Sequence, residues 1–257
     1  MRHAFGGIAA ALVLYGVTVV AAGAQQTIHR ADYRISFIGL PVAEATFSTI
    51  FDGERFSIAG EMNSAGVGNI VGRTSGSTSV TGVKTDDRLQ ASSYVVAYNS
   101  GRKSQQMAVA FDNGTVVSAK LTPEKKRTRE DWIPVEQADL QSVIDPIGGL
   151  MAPGGADVCN RTLPIFDGET RFDVVLTEAG RQPFSTQGFE GEAIVCSARA
   201  EPKSGYHAKH SSVAFVRQTS VEVWFAKNEA ADVYAPVYAR VPTKLGPVTI
   251  TATHFGS

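Results

Sequence analysis

Apolar and polar residues alternate along most of the chain. Tyr33, Ile35 and Phe37 interleave with Asp32, Arg34 and Ser36, and Ala43, Ala45, Phe47, Thr49 and Phe51 interleave with Glu44, Thr46 and Ser48. A period of two puts one set on each face of a strand, so both segments predict half-buried β-strands. The pattern recurs at Phe56, Ile58 and Met62, at Tyr94, Val96 and Tyr98, at Met107, Val109 and Phe111, at Phe172, Val174 and Leu176, and at Val221, Val223 and Phe225. Val233 to Phe255 holds two more strands, divided near Pro242 to Gly246. Turn signals separate these runs: Gly39-Leu40-Pro41, Asp52-Gly53, Asn99-Ser100-Gly101, Asp112-Asn113-Gly114 and Asp167-Gly168. Asp-Gly and Asn-Gly favour tight hairpin turns because glycine accepts a positive φ. The chain therefore predicts an all-β fold of about a dozen strands, built mainly from antiparallel hairpins.

Two segments interrupt the pattern. Asp145-Pro146 is an N-cap followed by proline at the first helical position, and Ile147, Leu150 and Met151 then share one face before Pro153-Gly154-Gly155. This predicts one short central helix, with a further helical turn upstream between Glu136 and Val143. Gly60 to Gly82 carries six glycines among serines and threonines. Bent strands of a strongly curved sheet and a flexible loop both fit that composition. Phe-Asp-Gly occurs at Phe51-Asp52-Gly53 and Phe166-Asp167-Gly168. The flanks match over no fixed period, so the motif reads as a strand running into a favoured turn rather than as a duplication.

Ahead of the first strand the pattern changes. Arg2 and His3 precede an apolar run from Ile8 to Val20, and Ala22-Gly23-Ala24 follows. A short basic start, an apolar stretch and a small-x-small site make a secretory signal peptide over residues 1–24, cleaved after Ala24. The run is too short for a spanning helix, which needs roughly 20 apolar residues. A single β-rich periplasmic domain over 25–257 would remain. Cys159 and Cys196 are the two cysteines of the chain. An even count in an oxidising compartment predicts one disulfide.

Composition narrows the function. The 257 residues are 43% hydrophobic and 19% charged, with a formal net charge of −1. That supports a packed core and argues against electrostatic nucleic-acid binding. Lys125, Lys126, Arg127 and Arg129 form a basic cluster, but Glu124, Glu130 and Asp131 flank it.

Recognised catalytic spacings are missing. His-Glu-x-x-His and the Walker pattern do not occur. Gly66-Val67-Gly68 has its third glycine at 72, one place too late for a dinucleotide fingerprint. Gly72 to Gly76 misses the Gly-x-Ser-x-Gly spacing, and Ser100 to Lys103 satisfies Ser-x-x-Lys without its partner motifs. His207 and His210 could share a metal only on a helix, and the glycine-led segment before a strand reads as a loop. No cofactor and no metal site is expected.

The ensemble of a signal peptide, Asp145-Pro146, Cys159 before Phe166-Asp167-Gly168-Glu169-Thr170-Arg171-Phe172-Asp173, then Cys196, Trp224 and Thr243-Lys244-Leu245-Gly246 resembles the DUF3108 family of uncharacterised Gram-negative periplasmic proteins. The resemblance runs from about Tyr33 onward. The chain is also similar, more distantly, to envelope-integrity β-spiral proteins and to the half-barrels of lipoprotein carriers. These resemblances imply a long curved sheet or β-spiral around a helix, with a disulfide, and supply no catalytic residue.

A curved sheet presents a concave apolar face, for which Phe37, Phe47, Phe56, Met107, Phe111, Phe172 and Phe225 are the candidate lining. A filled core is the competing reading of the same residues. The leading functional expectation is a non-enzymatic envelope protein that binds a lipid-like or lipoprotein ligand or a protein partner. Alternatives are an envelope hydrolase and a structural adaptor working through an exposed strand edge.

Overall fold

The computed structural model describes residues 26–101, 103–125 and 130–257. The predicted leader, with Ala22 and Ala24, lies outside the described residues, as do Lys126, Arg127 and Arg129.

The strands are β1 (Thr27–Phe37), β2 (Leu40–Asp52), β3 (Arg55–Ser64), β4 (Thr74–Lys84), β5 (Leu89–Ser100), β6 (Lys103–Asp112), β7 (Thr115–Thr122), β8 (Trp132–Ile133), β9 (Ala152–Pro153), β10 (Arg161–Phe166), β11 (Arg171–Thr186), β12 (Phe189–Ser204), β13 (Tyr206–His207), β14 (Ser220–Asn228), β15 (Val233–Val241) and β16 (Val248–Gly256). Helices α1 (Gly68–Val71) and α2 (Ser211–Gln218) join β3 to β4 and precede β14. One 14-stranded sheet runs β10-β11-β12-β14-β15-β16-β1-β2-β3-β4-β5-β6-β7, with β9 beside β15, while β8 and β13 pair separately. The alternation thus produced the all-β sheet it predicts. First and last strands pair with each other, Arg30 opposite Gly256 and Phe37 opposite Val248. This joins the N-terminal meander to the C-terminal strands in a single open, curved sheet.

The turns follow local chemistry. Asn113 (φ 48°) and Gly114 (φ 79°) fill a two-residue hairpin with both residues left-handed, the geometry that matches strand twist. Asp52 is still paired with Arg55, so the turn there comprises Gly53 (φ 59°) and Glu54, one residue later than the sequence suggests. The Gly60 to Gly82 stretch is the end of β3, α1 and most of β4. Gly60 is where the Phe47 ring crosses β3, leaving no room for a side chain.

Between β7 and β10 the chain crosses from one sheet edge to the other. The Val143 N–H donates to the Gly114 carbonyl (2.8 Å), Ile144 N–H to Pro164 (2.9 Å), and Phe166 N–H to Ile144 (3.0 Å). Val143 and Met151 of this segment are buried in the main core with Phe56, Ile58, Val80, Leu89, Tyr94, Val109, Phe111 and Phe255. Leu163, Ile165, Leu176, Cys196, Val223 and Phe225 form a second cluster. Val223 and Phe225 alternate with Trp224 and Ala226, which pack in the main core. The C-terminal strands therefore bury both faces.

The helices depart from expectation. After Asp145-Pro146 the chain makes a 3-10 turn, Gly148–Leu150. Two consecutive glycines are poor helix formers, and Met151 leaves the turn to enter β9. The upstream segment is likewise a 3-10 turn, Gln137–Leu140. α2 was not foreseen: Val213 and Phe215 alternate as in a strand, but Val213 and Val216 lie three apart on one helical face.

Candidate functional site

Burial of the inner face is graded. Near the β2–β3 and β6–β7 turns, Phe51, Phe56, Leu89, Phe111 and Val116 are buried, because the crossing segment at Val143 fills that end. Further along, burial is uneven: Met107 on β6, in register between Val96 and Leu121, is buried beneath Gly168 of the β10–β11 turn. A belt of half-buried apolar side chains remains: Trp224 on β14, Tyr33 on β1, Phe47 on β2, Val96 on β5 and Leu121 on β7, all packed on the main core. Tyr33 meets Phe47 edge to face at 6.0 Å, and its enclosed hydroxyl donates to the Pro236 carbonyl at 2.7 Å. Burial pushes that hydroxyl's pKa upward.

The β11–β12 hairpin leans over this belt. Its inner part pairs with β10 and β14, but Thr177 to Thr186 pairs only with β12. The tip is tied to β16, with Thr186 Oγ1 donating to Ala252 (2.9 Å) and Phe255 N–H to Gln187 (2.8 Å). Under it runs an aromatic row. Phe189 contacts Phe255 and Phe184, Phe184 contacts Trp224 at 6.3 Å, and Trp224 contacts Tyr238 at 4.8 Å. The Trp224 Nε1–H donates to Glu222 (2.7 Å), giving the row a polar margin. Two open depressions flank the hairpin. One of about 370 Å³ reaches Trp224, and one of about 490 Å³ lies at the tip between Phe189 and Lys227. Both fall in the size range of small-molecule sites. The belt itself is a shallow trough rather than a closed pocket.

The residues singled out from sequence scatter across this frame. Phe56, Met107 and Phe111 are buried in the main core, and Phe47 sits on the belt. Phe225 is enclosed in the second cluster with Phe172 packed against it. Phe37 is half-buried beside the β1–β2 turn and belongs to neither cluster. The seven do not share one groove. Tyr33, Val96, Leu121 and Trp224 were missed as lining, because their exposure depends on which other segments pack over each strand, as the β11–β12 hairpin does at Trp224.

Cys159 and Cys196 form the expected disulfide, in the second cluster. Asp145 caps its turn, Oδ1 accepting the N–H groups of Ile147 (2.9 Å) and Gly148 (2.7 Å). It is fully buried, Oδ2 lacks a hydrogen-bond partner among the described residues, and burial raises its pKa to about 6. Asp167 makes the matching turn, accepting from Glu169 and Thr170 (2.9 and 2.6 Å). Burial raises its pKa too. Gly168 (φ 99°) faces Met107 with no space for a Cβ, which holds the β10–β11 turn against β6.

Among the described residues, His207 and His210 share no partner. His207 Nδ1 lies 3.2 Å from Asp131, while His210 caps α2 with its ring bonded to Ser212. His29 is buried beside Asn228 (2.8 Å), and burial lowers its pKa to about 4. Lys125 pairs with Glu169 at 2.6 Å. Among the described residues no group of three or more His, Cys, Asp or Glu could hold a metal ion, and no helix is long and apolar enough to cross a membrane.

Comparison with known proteins follows the same lines. No curated protein matches the chain. A solved structure described as a beta-barrel-like protein of domain of unknown function DUF1849 from Brucella abortus is similar in fold, with a TM-score of 0.51 and 10% identity over 89% of this chain and 96% of that one. The model of the family described as "Protein of unknown function (DUF3108)" matches residues 32–253. That span reaches from β1 into β16 and takes in the whole belt, the crossing segment and both cysteines, so the chain belongs to the DUF3108 family.

Proposed function

We propose that the protein is a non-enzymatic component of the periplasmic envelope that holds an amphipathic, lipid-like ligand on the half-buried belt. The observation that carries this reading is a set of half-buried apolar side chains left packed on one main core. Phe51, Phe56 and Phe111, toward the end that Val143 closes, are buried, whereas Phe47, Val96, Leu121 and Trp224, on β2, β5, β7 and β14, are only half-buried against the same core. An acyl chain on the belt would complete the packing left unfinished there. The hairpin over Trp224 supplies a cover held by few bonds, and Glu222 and the Trp224 indole N–H supply a polar margin for a head group. The disulfide supports an oxidising compartment.

The test is native mass spectrometry of the protein secreted into a Gram-negative periplasm, with lipid extraction of the same sample. A near-equimolar acyl species supports the reading, and a clean mass without ligand counts against it. One observation favours a second reading. Thr177 to Pro183 of β11 is exposed and pairs on one side only, as a strand-adding protein partner would require. Crosslinking to a partner through that edge, with no lipid recovered, would favour the adaptor.

A further inference from the structure

We propose that one end of the sheet docks onto an anionic lipid bilayer. The end includes the connections β1–β2, β3–β4, β5–β6 and β15–β16, which the hydrogen bonding brings side by side, with the exit of β7 and helix α2 at its margins. Ile38 N–H donates to Pro247 at 3.0 Å, joining β1–β2 to β15–β16. Ala65 and Val67 N–H groups donate to Val42 and Pro41 (2.9 and 3.2 Å), seating the α1 segment against the start of β2. Thr74 Oγ1 lies 3.2 Å from Ser100 Oγ, and Gly101 N–H donates to Arg73, which adds the β5–β6 turn.

This end carries the two most exposed large apolar residues described, Ile70 (85%) and Leu245 (81%), together with Ile38 (56%) and Leu40 (57%). Single exposed apolar residues need no explanation, but a contiguous set with a polar rim marks a contact surface. Ile38 is the sharpest case. It occupies the left-handed region at φ 50°, where a β-branched residue is an outlier and asparagine or glycine is favoured. The turn tolerates that conformation and projects an isoleucine from its tip.

Charge identifies the partner. Arg73, Lys103 and Lys244 stand exposed in these connections and make no ion pair among the described residues. Residues 38–41, 65–73, 100–103 and 242–247 contain no aspartate or glutamate. In a chain whose net charge is −1, these four acid-free connections, with apolar tips and exposed cations, complement anionic head groups over acyl chains, and Glu124, just past β7, borders them. Docking needs only this outer surface and stands whether or not the belt holds a ligand.

The test is flotation with vesicles, using the chain from Gln25 onward, which contains every strand of the sheet. Vesicles of phosphatidylglycerol and phosphatidylethanolamine in equal parts should carry the protein, and pure phosphatidylcholine should not. The double variant Ile70→Ser/Leu245→Ser should lower partitioning about tenfold or more. Ile38→Asn should weaken it while leaving the melting temperature unchanged or raised, since asparagine suits that φ. Arg73→Glu/Lys244→Glu should abolish the preference for phosphatidylglycerol. Val117→Ser, at an exposed apolar position on β7, is the control and should bind like the unaltered chain. Failure of the unaltered chain to float with anionic vesicles overturns the proposal, as does equal binding by the double variant.

Discussion

Replacing Asp145 by asparagine should make stability fall more steeply as the pH is lowered through mild acid. Two buried groups titrate in opposition. Burial raises Asp145 from 3.8 to about 6. The unfolded chain therefore loses this proton first as pH rises, and stability present below 3.8 is lost as pH climbs through about 6. Burial lowers His29 from 6.5 to about 4. Here the unfolded chain gains the proton first as pH falls, so stability present above 6.5 is lost toward about 4. At about 1.36 kcal/mol per tenfold change in proton affinity, each amounts to about 3 kcal/mol, with opposite sign. Between about pH 4 and pH 6 the two slopes offset each other.

Asparagine keeps an oxygen to accept the N–H groups of Ile147 and Gly148 but cannot ionise. Urea denaturation of both proteins across this range, followed by tryptophan fluorescence, measures the difference. Groups common to both cancel in it. At about pH 7 Asp145→Asn should be more stable by up to about 3 kcal/mol, an advantage that shrinks toward zero near pH 4. Parallel pH profiles, with the variant less stable throughout, would show that Asp145 is not held at a raised pKa by burial.

Three further outcomes follow from the packing. Cys159→Ala/Cys196→Ala, or reduction, opens a loop of sequence separation 37 and should cost about 4 kcal/mol, read as a lower urea midpoint. Tyr33→Phe leaves the Pro236 carbonyl without its 2.7 Å donor and should cost about 1–3 kcal/mol in the same assay, with the sheet intact by circular dichroism. Gly168→Ala combines a φ of 99° with the Met107 contact, and thermal melts should show a loss above about 1 kcal/mol.

The strands were legible because alternation is a local signal, and the turns because Asn113-Gly114 carries its own conformational preference. The Asp145 cap was legible for the same reason, while Gly148-Gly149 shortened the helix expected after it to a 3-10 turn. What the sequence concealed is nonlocal. Phe225 reads like Phe111 in a strand pattern, yet it packs in the second cluster because β14 is covered on both faces. The belt depends on which segments pack over strands that lie far apart in sequence, β1 and β2 against β14. α2 was concealed by two apolar residues spaced as in a strand, although His210, whose ring accepts the Ser212 N–H, was its available start signal.

The central claim is that the belt accepts an acyl chain, and photo-crosslinking tests it most directly. A fatty acid carrying a diazirine on its chain, irradiated with the protein and mapped by peptide mass spectrometry, should label β2, β5 and β7 around Phe47, Val96 and Leu121, together with Trp224. Saturable labelling there, competed by unmodified fatty acid, is the predicted result. Labelling that is absent, unsaturable or confined to the outer surface would contradict the account.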